Sequence, residues 1–231
     1  MPNYHFSYLI GVLIFWAGWL ACYIAGKSYR REIRWGSLIS APMAITSPFF
    51  IPQYWLPPSL FDLDQKIKVG IEDVLWAAAV GGIASVVGEI LLKDRLGKIR
   101  KAKRGRHYAP FIVLVVVFAA LQIWHRDKTI YNTIIALAVA AIVIALRRSD
   151  LIPTMLVGAM SFAVLYFAMF RIVLFLYPEF IQRYYTIKNL LGIYVFGIPI
   201  EELLFAAAGG AVWSVAYEYL HGYKLTPAEP I

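Results

Sequence analysis

Two pairs of adjacent acids open otherwise apolar stretches of this sequence. Glu201 and Glu202 follow Pro199, and Glu72 and Asp73 stand in the same relation to a second apolar run. Burial beside a like charge favours the protonated form of one carboxyl, so neighbouring acids can hold opposite protonation states. Such a pair can give a proton to a substrate and take one back, which indicates acid–base catalysis. The alternative is that the acids only complement the dipole at a helix start, where proline is also favoured.

Three further residues could support this chemistry. Arg171 interrupts an apolar run, and a cation at membrane depth is usually paired. We expect it to pair with Glu201 or Glu202, or else to have a purely structural role. Trp76 and Phe205 each follow the first glutamate of a pair by four residues, on the same helical face. Their rings could stabilise a carbocation through cation–π attraction, or could simply anchor the chain at the membrane interface.

The two acid pairs belong to a repeated segment. Shifting the chain by 129 positions places residues 72–91 under residues 201–220, with 10 identities in 20. This self-similarity predicts an internal duplication. The identical pairs are Glu72/Glu201, Leu75/Leu204, Ala77/Ala206, Ala78/Ala207, Ala79/Ala208, Gly81/Gly210, Ser85/Ser214, Val86/Val215, Glu89/Glu218 and Leu91/Leu220.

The composition is that of an all-α integral membrane protein. Of the 231 residues, 61% are hydrophobic, whereas soluble domains are about 45–50% apolar. A spanning helix needs about 20 apolar residues, and the sequence offers seven such runs. Prolines 42, 48 and 52 predict a kink or break in the second. The predicted helices are Tyr4–Ala25, Gly36–Trp55, Ile71–Leu92, Tyr108–Trp124, Thr129–Leu146, Ile152–Tyr177 and Tyr194–Leu220.

The duplication and the loop charges predict a topology. Residues 1–106 form a first three-helix repeat, 107–128 a linking helix and 129–231 a second repeat. A single linking helix makes the two repeats parallel, as in some transporters. Basic residues concentrate after the first, third and fifth helices, most densely between Lys93 and Arg106. By the positive-inside rule, this side is cytoplasmic, with the N-terminus outside and the C-terminus inside the cell membrane.

Other features limit the function classes. The net charge of +8 lies in short loops, which suits anionic lipid, and we expect no nucleic-acid partner. Cys22 is the single cysteine, and the four histidines show no metal-ligand spacing. The sequence has no Gly-rich dinucleotide fingerprint, and the last predicted helix has no lysine for a retinal Schiff base. We therefore expect no cofactor and no metal.

The segment from Pro199 to Phe205 resembles the lycopene cyclase domain family of integral membrane proteins. That family carries a Pro-x-Glu-Glu/Asp motif at the end of each three-helix domain, and the ending around Glu218 is also similar. Its two domains occur as separate subunits or fused, and this chain looks like the fused type. The first repeat departs from the motif, because Gly70 stands where Pro199 aligns and Asp73 replaces Glu202.

The resemblance implies an enzyme that closes end-group rings on lycopene or another linear polyene without net redox change. An acid protonates a terminal C=C, the cation cyclises and a base removes a ring proton, an isomerase or intramolecular lyase reaction. Glu201 and Glu202 hold the acid and base roles in either order, and Glu72 and Asp73 assist or form a second site. The expected partners are the polyene and membrane lipid, and a second copy of the chain is left open as a further partner. The alternatives are another isoprenoid enzyme that cyclises or hydrates, a proton-coupled transporter, or an assembly subunit.

Overall fold

The computed structural model describes residues 3–91, 100–101 and 108–224. Within them the protein is an all-α membrane protein, as predicted. Five helical segments are long and apolar enough to cross a membrane: Tyr4–Ala25, Ile71–Leu91, Thr129–Arg147, Ser149–Leu176 and Ile200–His221. Most of the predicted basic loop between Lys93 and Arg106 lies outside the described residues.

Twelve α-helices follow one another in the described part of the chain, with short 3-10 turns between some of them. They are α1 (Ser7–Ala25), α2 (Arg30–Ser40), α3 (Ser47–Phe50), α4 (Leu63–Lys66), α5 (Ile71–Ala84), α6 (Val87–Leu91), α7 (Ala109–Trp124), α8 (Thr129–Arg147), α9 (Ile152–Leu176), α10 (Phe180–Tyr184), α11 (Ile200–Trp213) and α12 (Ala216–His221). The 3-10 turns are Tyr4–Phe6, Lys27–Tyr29, Ala41–Thr46, Leu60–Asp62, Ser149–Leu151 and Ile187–Asn189.

Two small antiparallel ladders complete the described structure. Strands β1 (Arg100–Lys101) and β4 (Tyr223–Lys224) pair with each other. Strands β2 (Tyr194–Val195) and β3 (Ile198–Pro199) form a hairpin immediately before α11.

The helical segments agree with the predicted order, with two differences in detail. The proline-rich second segment is the run α2, a 3-10 turn from Ala41 to Thr46, and α3. This segment begins and ends earlier in the chain than predicted. The 3-10 turn around Pro42 replaces regular helix, as expected because proline has no N–H to donate. The seventh helix begins at Ile200 rather than at Tyr194, because the β2–β3 hairpin occupies the preceding residues. The linking helix α7 has only 16 residues.

Secondary structure repeats at the offset found in the sequence. Helices α5 and α11 each have 14 residues and begin 129 positions apart, and each is followed by a two-residue turn and a short helix. Helix α1 packs against α5 as α8 packs against α11, and α2 contacts α5 as α9 contacts α11. The two halves also exchange contacts, because α6 lies against α9 and α12 against α2.

Glycines allow the closest of these approaches. A methyl group on Gly158 of α9 would lie 2.3 Å from Ser214 Cβ and 2.9 Å from the Gly210 carbonyl oxygen. In the first half, a methyl group on Gly36 of α2 would lie 2.7 Å from the Gly81 carbonyl oxygen. These glycines therefore let the membrane helices approach one another closely.

Candidate functional site

The four predicted acids all lie buried in the first turns of α5 and α11. Glu72 is 1% exposed and Asp73 is 4% exposed, while Glu201 is 0% and Glu202 is 4% exposed. None of these carboxyl groups points into bulk water. A buried carboxyl needs hydrogen-bond donors or a proton, so the partners of each oxygen define its chemistry.

Three tyrosine hydroxyl groups donate hydrogen bonds to Glu202. Tyr54 and Tyr185 bind Oε1 at 2.7 Å and 2.8 Å, and Tyr166 binds Oε2. Burial, together with the charge of Glu202, raises the pKa of Tyr54 and Tyr185 well above the ordinary value. Both phenols therefore stay protonated, and they can serve as donors at any physiological pH.

The chain positions these tyrosines by pairing two distant connecting segments. Trp55 forms an isolated antiparallel bridge with Tyr185. On either side of it, Leu56 N–H donates to the Tyr184 carbonyl, and Thr186 N–H donates to the Tyr54 carbonyl, both at 2.8 Å. The segment that follows α3 and the segment that follows α10 thus converge on Glu202. Tyr166 reaches the same carboxylate from α9.

Glu201 has a different environment from its neighbour. Its Oε1 accepts the Tyr131 hydroxyl at 2.5 Å and the Leu191 N–H at 2.6 Å. Its Oε2 is buried and has no hydrogen-bond partner. One oxygen of Glu201 therefore has two donors, and the other has none.

The first repeat shows a related division of roles. Glu72 accepts the Leu60 N–H on Oε1 at 2.7 Å, and its Oε2 is buried without a partner. Asp73 accepts the Tyr8 hydroxyl at 2.6 Å and the Gly70 N–H at 3.1 Å. Asp73 therefore also caps its helix. A role at the helix start is the alternative to catalysis that the sequence left open for these acids.

Because of Pro199, the second acid of the second repeat does not cap its helix. It occupies the position before α11 that Gly70 occupies before α5, and proline has no N–H to donate. Glu202 is thereby freed from the cap and binds side-chain hydroxyls instead. The proline of the motif therefore affects which groups can donate hydrogen bonds to the second acid.

Asp64 is an acid that the sequence pattern did not single out. Its side chain is fully buried next to Gly70, and both of its oxygens lack a hydrogen-bond partner in the described structure. Burial, followed by the charge of Asp73, raises the pKa of Asp64 to about 8. Asp64 is therefore a protonated acid at neutral pH.

Aromatic rings connect the two acid pairs. The Tyr8 ring lies 4.7 Å from that of Trp55, and Trp55 lies 5.9 Å from Tyr185. Ring contacts therefore link Tyr8, which donates to Asp73, with Tyr185, which donates to Glu202. Trp76 and Phe205, which are equivalent in the two repeats, stack at 5.9 Å where α5 meets α11.

The predicted ion pair of Arg171 with Glu201 or Glu202 is wrong. Arg171 donates to the Phe196 carbonyl, and among the described residues no salt bridge joins it to either glutamate. Phe196 and Gly197 form the two-residue turn of the β2–β3 hairpin with φ of 50° and 86°. A left-handed Phe is unfavourable, so the guanidinium supports a strained turn just before Pro199.

An apolar groove of about 420 Å³ lies along the kinked second segment and the start of α5. The kinked second segment contributes Leu38, Ala41, Pro42, Ala44 and Ile45, and Val69 and Val74 complete the lining. Val74 follows Asp73 directly in α5. The lining is wholly apolar, and Glu72 and Asp73 are not part of it.

Sequence reasoning missed the hydroxyl groups that bind the acids. Tyr8, Tyr131 and Tyr166 lie within apolar helices, where a buried phenol needs an acceptor. That rule could have marked them as partners of the four carboxyl groups. Tyr185 carries no such signal, because its position depends on a pairing with a segment far away in the sequence.

The family model described as lycopene cyclase matches residues 128–220. The match covers 93 of the 231 residues, so this likeness is that of one segment of the chain. This result confirms the family that the Pro-x-Glu-Glu motif predicted, and it supports a carotenoid cyclase function and an enzyme. No curated protein and no solved structure matched the chain.

The matched region contains most of the second acid site. Glu201, Glu202, Tyr131, Tyr166 and Tyr185 all lie within it. Tyr54 lies outside it, although its hydroxyl binds the same glutamate. A lipid-soluble polyene and membrane lipid suit both this family and the apolar helices.

Proposed function

We propose that this protein cyclises the end groups of lycopene or a closely related linear carotenoid. The observation that carries the proposal is the unequal hydrogen bonding of two adjacent buried acids. Glu202 accepts three phenolic hydroxyls, and Glu201 keeps one oxygen without a partner. Such a pair suits a reaction that takes a proton at one point and returns it at another.

The reaction proceeds through a carbocation and conserves every atom. A proton adds to the terminal C=C, and the resulting tertiary cation is attacked by the π electrons of the double bond that lies within ring-forming reach. A C–C bond closes the ring and moves the cation into it. Loss of a ring proton restores a C=C, so the product is an isomer of the substrate and the enzyme is an isomerase or intramolecular lyase.

Glu201 is the proton donor in this proposal. Two donors, Tyr131 and the Leu191 N–H, bind Oε1 and stabilise it as the carbonyl oxygen of a protonated carboxyl. The proton then sits on Oε2, the buried oxygen without a partner. A neutral carboxyl is also the less costly form in a buried site.

Glu202 is the anion that stabilises the cation and accepts the ring proton. Three hydroxyl donors favour the carboxylate form, because an ionised carboxylate is an acceptor on both oxygens. They occupy three of its roughly four lone-pair sites, which leaves one site that can take the ring proton. The stacked rings of Trp76 and Phe205 add π faces near the acids, which favour a passing positive charge.

The first repeat provides a second pair of acids in the same proposal. Glu72 has one oxygen without a partner, like Glu201, and Asp73 is held by Tyr8, as Glu202 is held by tyrosines. We infer that residues 1–106 and 129–231 are fused cyclase repeats joined by α7. The groove next to Val74 accommodates part of the polyene while an end group reaches the acids.

The membrane topology belongs to the same proposal. Basic loops place the ends of α1 and α8 and the segment after α6 in the cytoplasm. The four acids then lie toward the outer side of the membrane, and the N-terminus is outside. To test this, single cysteines can be introduced at Lys27 or Lys188 in a chain whose Cys22 has been replaced. Labelling from one side of the membrane should then reach only one of these two positions.

Pigment analysis in lycopene-producing cells tests the function. Cells with the wild-type chain should accumulate cyclised carotenoid, whereas Glu201→Gln and Glu202→Gln should each leave lycopene unchanged. The matched control is Glu179→Gln, which alters an exposed acid paired with Arg183. It should cyclise like wild type, with all four proteins at equal levels in the membrane.

Two results would overturn the proposal. One is lycopene that stays unchanged in cells in which the wild-type chain is folded in the membrane. The other is wild-type amounts of cyclised product in both glutamine variants. Full activity in only one variant would remove that residue from the mechanism and reject the two-acid assignment.

A further inference from the structure

Three glutamates converge at the end of the helices opposite the acid pairs. Glu89 of α6 and Glu218 of α12 are equivalent in the two repeats, and Glu32 of α2 joins them. One carboxylate oxygen from each lies within 4.8 Å of the other two. Glu89 and Glu218 are 17 residues beyond Glu72 and Glu201, a rise of about 25 Å along a helix.

Each of these side chains carries an oxygen without a partner. Glu32 Oε2, Glu89 Oε2 and Glu218 Oε1 are buried and make no hydrogen bond. The residues themselves are 7%, 1% and 1% exposed. Buried carboxylate oxygens without donors are costly, so a cluster of three requires protons or a cation.

Among the described residues, no salt bridge joins Glu32, Glu89 or Glu218 to a lysine or arginine. Arg148 is the nearby guanidinium whose charge acts on Glu218. It forms two hydrogen bonds of 2.7 Å with Asp150.

We propose that Glu32, Glu89 and Glu218 bind a divalent cation of the Mg²⁺ or Mn²⁺ class. Hard cations take carboxylate oxygens, and both of these ions accept a few carboxylates plus water in an octahedral set. The three oxygens lie within 4.8 Å of one another, somewhat wider than the distance of about 4.2 Å between opposite ligands of such an ion, so small side-chain rotations would close the set around it. The cluster found among the described residues contains no cysteine or histidine, the ligands that softer metals prefer.

The cation has a structural consequence for the two repeats. Its three ligands come from α2, α6 and α12, so one ion joins the inner ends of both halves. Glu32 makes the set asymmetric, because Thr154 occupies the corresponding place in the second half. There the Thr154 carbonyl accepts from Ser214, as the Glu32 carbonyl accepts from Ser85. The site is therefore separate from the acid pairs and does not depend on the cyclisation chemistry.

Direct Mn²⁺ binding tests the proposal on the full-length chain in detergent micelles. The protein is stripped with EDTA, dialysed and titrated with MnCl₂, with bound ion measured by electron paramagnetic resonance. Wild type should bind one ion per chain, and Mg²⁺ should displace it. Glu89→Gln and Glu218→Gln should each weaken binding at least about tenfold, because even outer-shell changes at metal sites cost that much.

The matched control for this experiment is Glu179→Gln, which removes an exposed acid and should bind Mn²⁺ as wild type does. Thermal unfolding gives a second readout, because a ligand of the folded state raises the midpoint. Mn²⁺ should raise the midpoint of wild type and of the control. Wild type that binds no Mn²⁺ at millimolar concentration overturns the proposal, and so does equal binding by folded glutamine variants.

Discussion

Replacing Tyr166 by Phe tests how Glu202 is held as a carboxylate. Tyr54 and Tyr185 share Oε1, whereas the described structure gives Oε2 only Tyr166. The substitution keeps the ring in the core of α9 and removes the hydroxyl, so Oε2 becomes buried without a donor. The carboxylate then loses a stabilising partner, and a proton on Glu202 becomes the favoured state.

The size of the effect follows from the kind of bond removed. Hydrogen bonds to charged groups contribute about 1.5–3 kcal/mol. If the bond acts fully on the cationic transition state, Tyr166→Phe should slow cyclisation roughly 10- to 150-fold at neutral pH. Activity should partly return at higher pH, because the carboxylate forms again without the hydroxyl.

The assay is conversion of lycopene by purified protein in detergent or nanodiscs, followed by chromatography over a range of pH. The matched control is Tyr177→Phe, a buried tyrosine whose hydroxyl makes no hydrogen bond with the described residues. It should keep the wild-type rate and pH profile. A Tyr166→Phe rate equal to wild type, or a slow rate with an unchanged pH profile, would refute the reasoning.

Three further predictions concern folding and the entry to α11. Gly158→Ala should destabilise the protein by about 1–3 kcal/mol, because the added methyl group meets the backbone of a neighbouring helix. The control is Gly209→Ala, whose methyl group faces open space and should leave the free energy of unfolding unchanged in the same assay. Raising the pH through about 8 should lower the thermal midpoint of the wild-type protein, because the fold buries Asp64 favourably only in its protonated form. The Asp64→Asn variant cannot lose this proton, so its midpoint should depend less on pH. Arg171→Ala should reduce cyclisation without abolishing it, since the arginine supports the hairpin and not the acids; complete loss of activity, with the protein folded, would contradict this role.

The sequence predicted the fold because membrane helices follow from composition and periodicity. The offset of 129 residues located α5 and α11 as equivalent helices of equal length, with acids in both first turns. The kink in the second segment followed from its prolines. These features depend on local chemistry, which a single sequence displays directly.

The contacts around the acids could not be predicted in the same way. Tyr54 and Tyr185 meet at Glu202 through a bridge between segments 130 positions apart. The hairpin before Pro199 is too short to show strand alternation, and its left-handed Phe196 goes against the residue's own preference. For Arg171 the sequence left an ion pair and a structural role open, because it does not show that the Phe196 carbonyl lies within reach of the guanidinium.

The central claim is that Glu201 delivers a solvent-exchangeable proton to a carbon atom of the polyene. Cyclisation by the purified wild-type protein in D₂O, followed by mass spectrometry, measures this transfer. The account predicts one deuterium per ring formed in the wild-type product, and no ring formation by folded Glu201→Gln. Cyclised product without deuterium, or deuterated rings formed at the wild-type rate by Glu201→Gln, would contradict it.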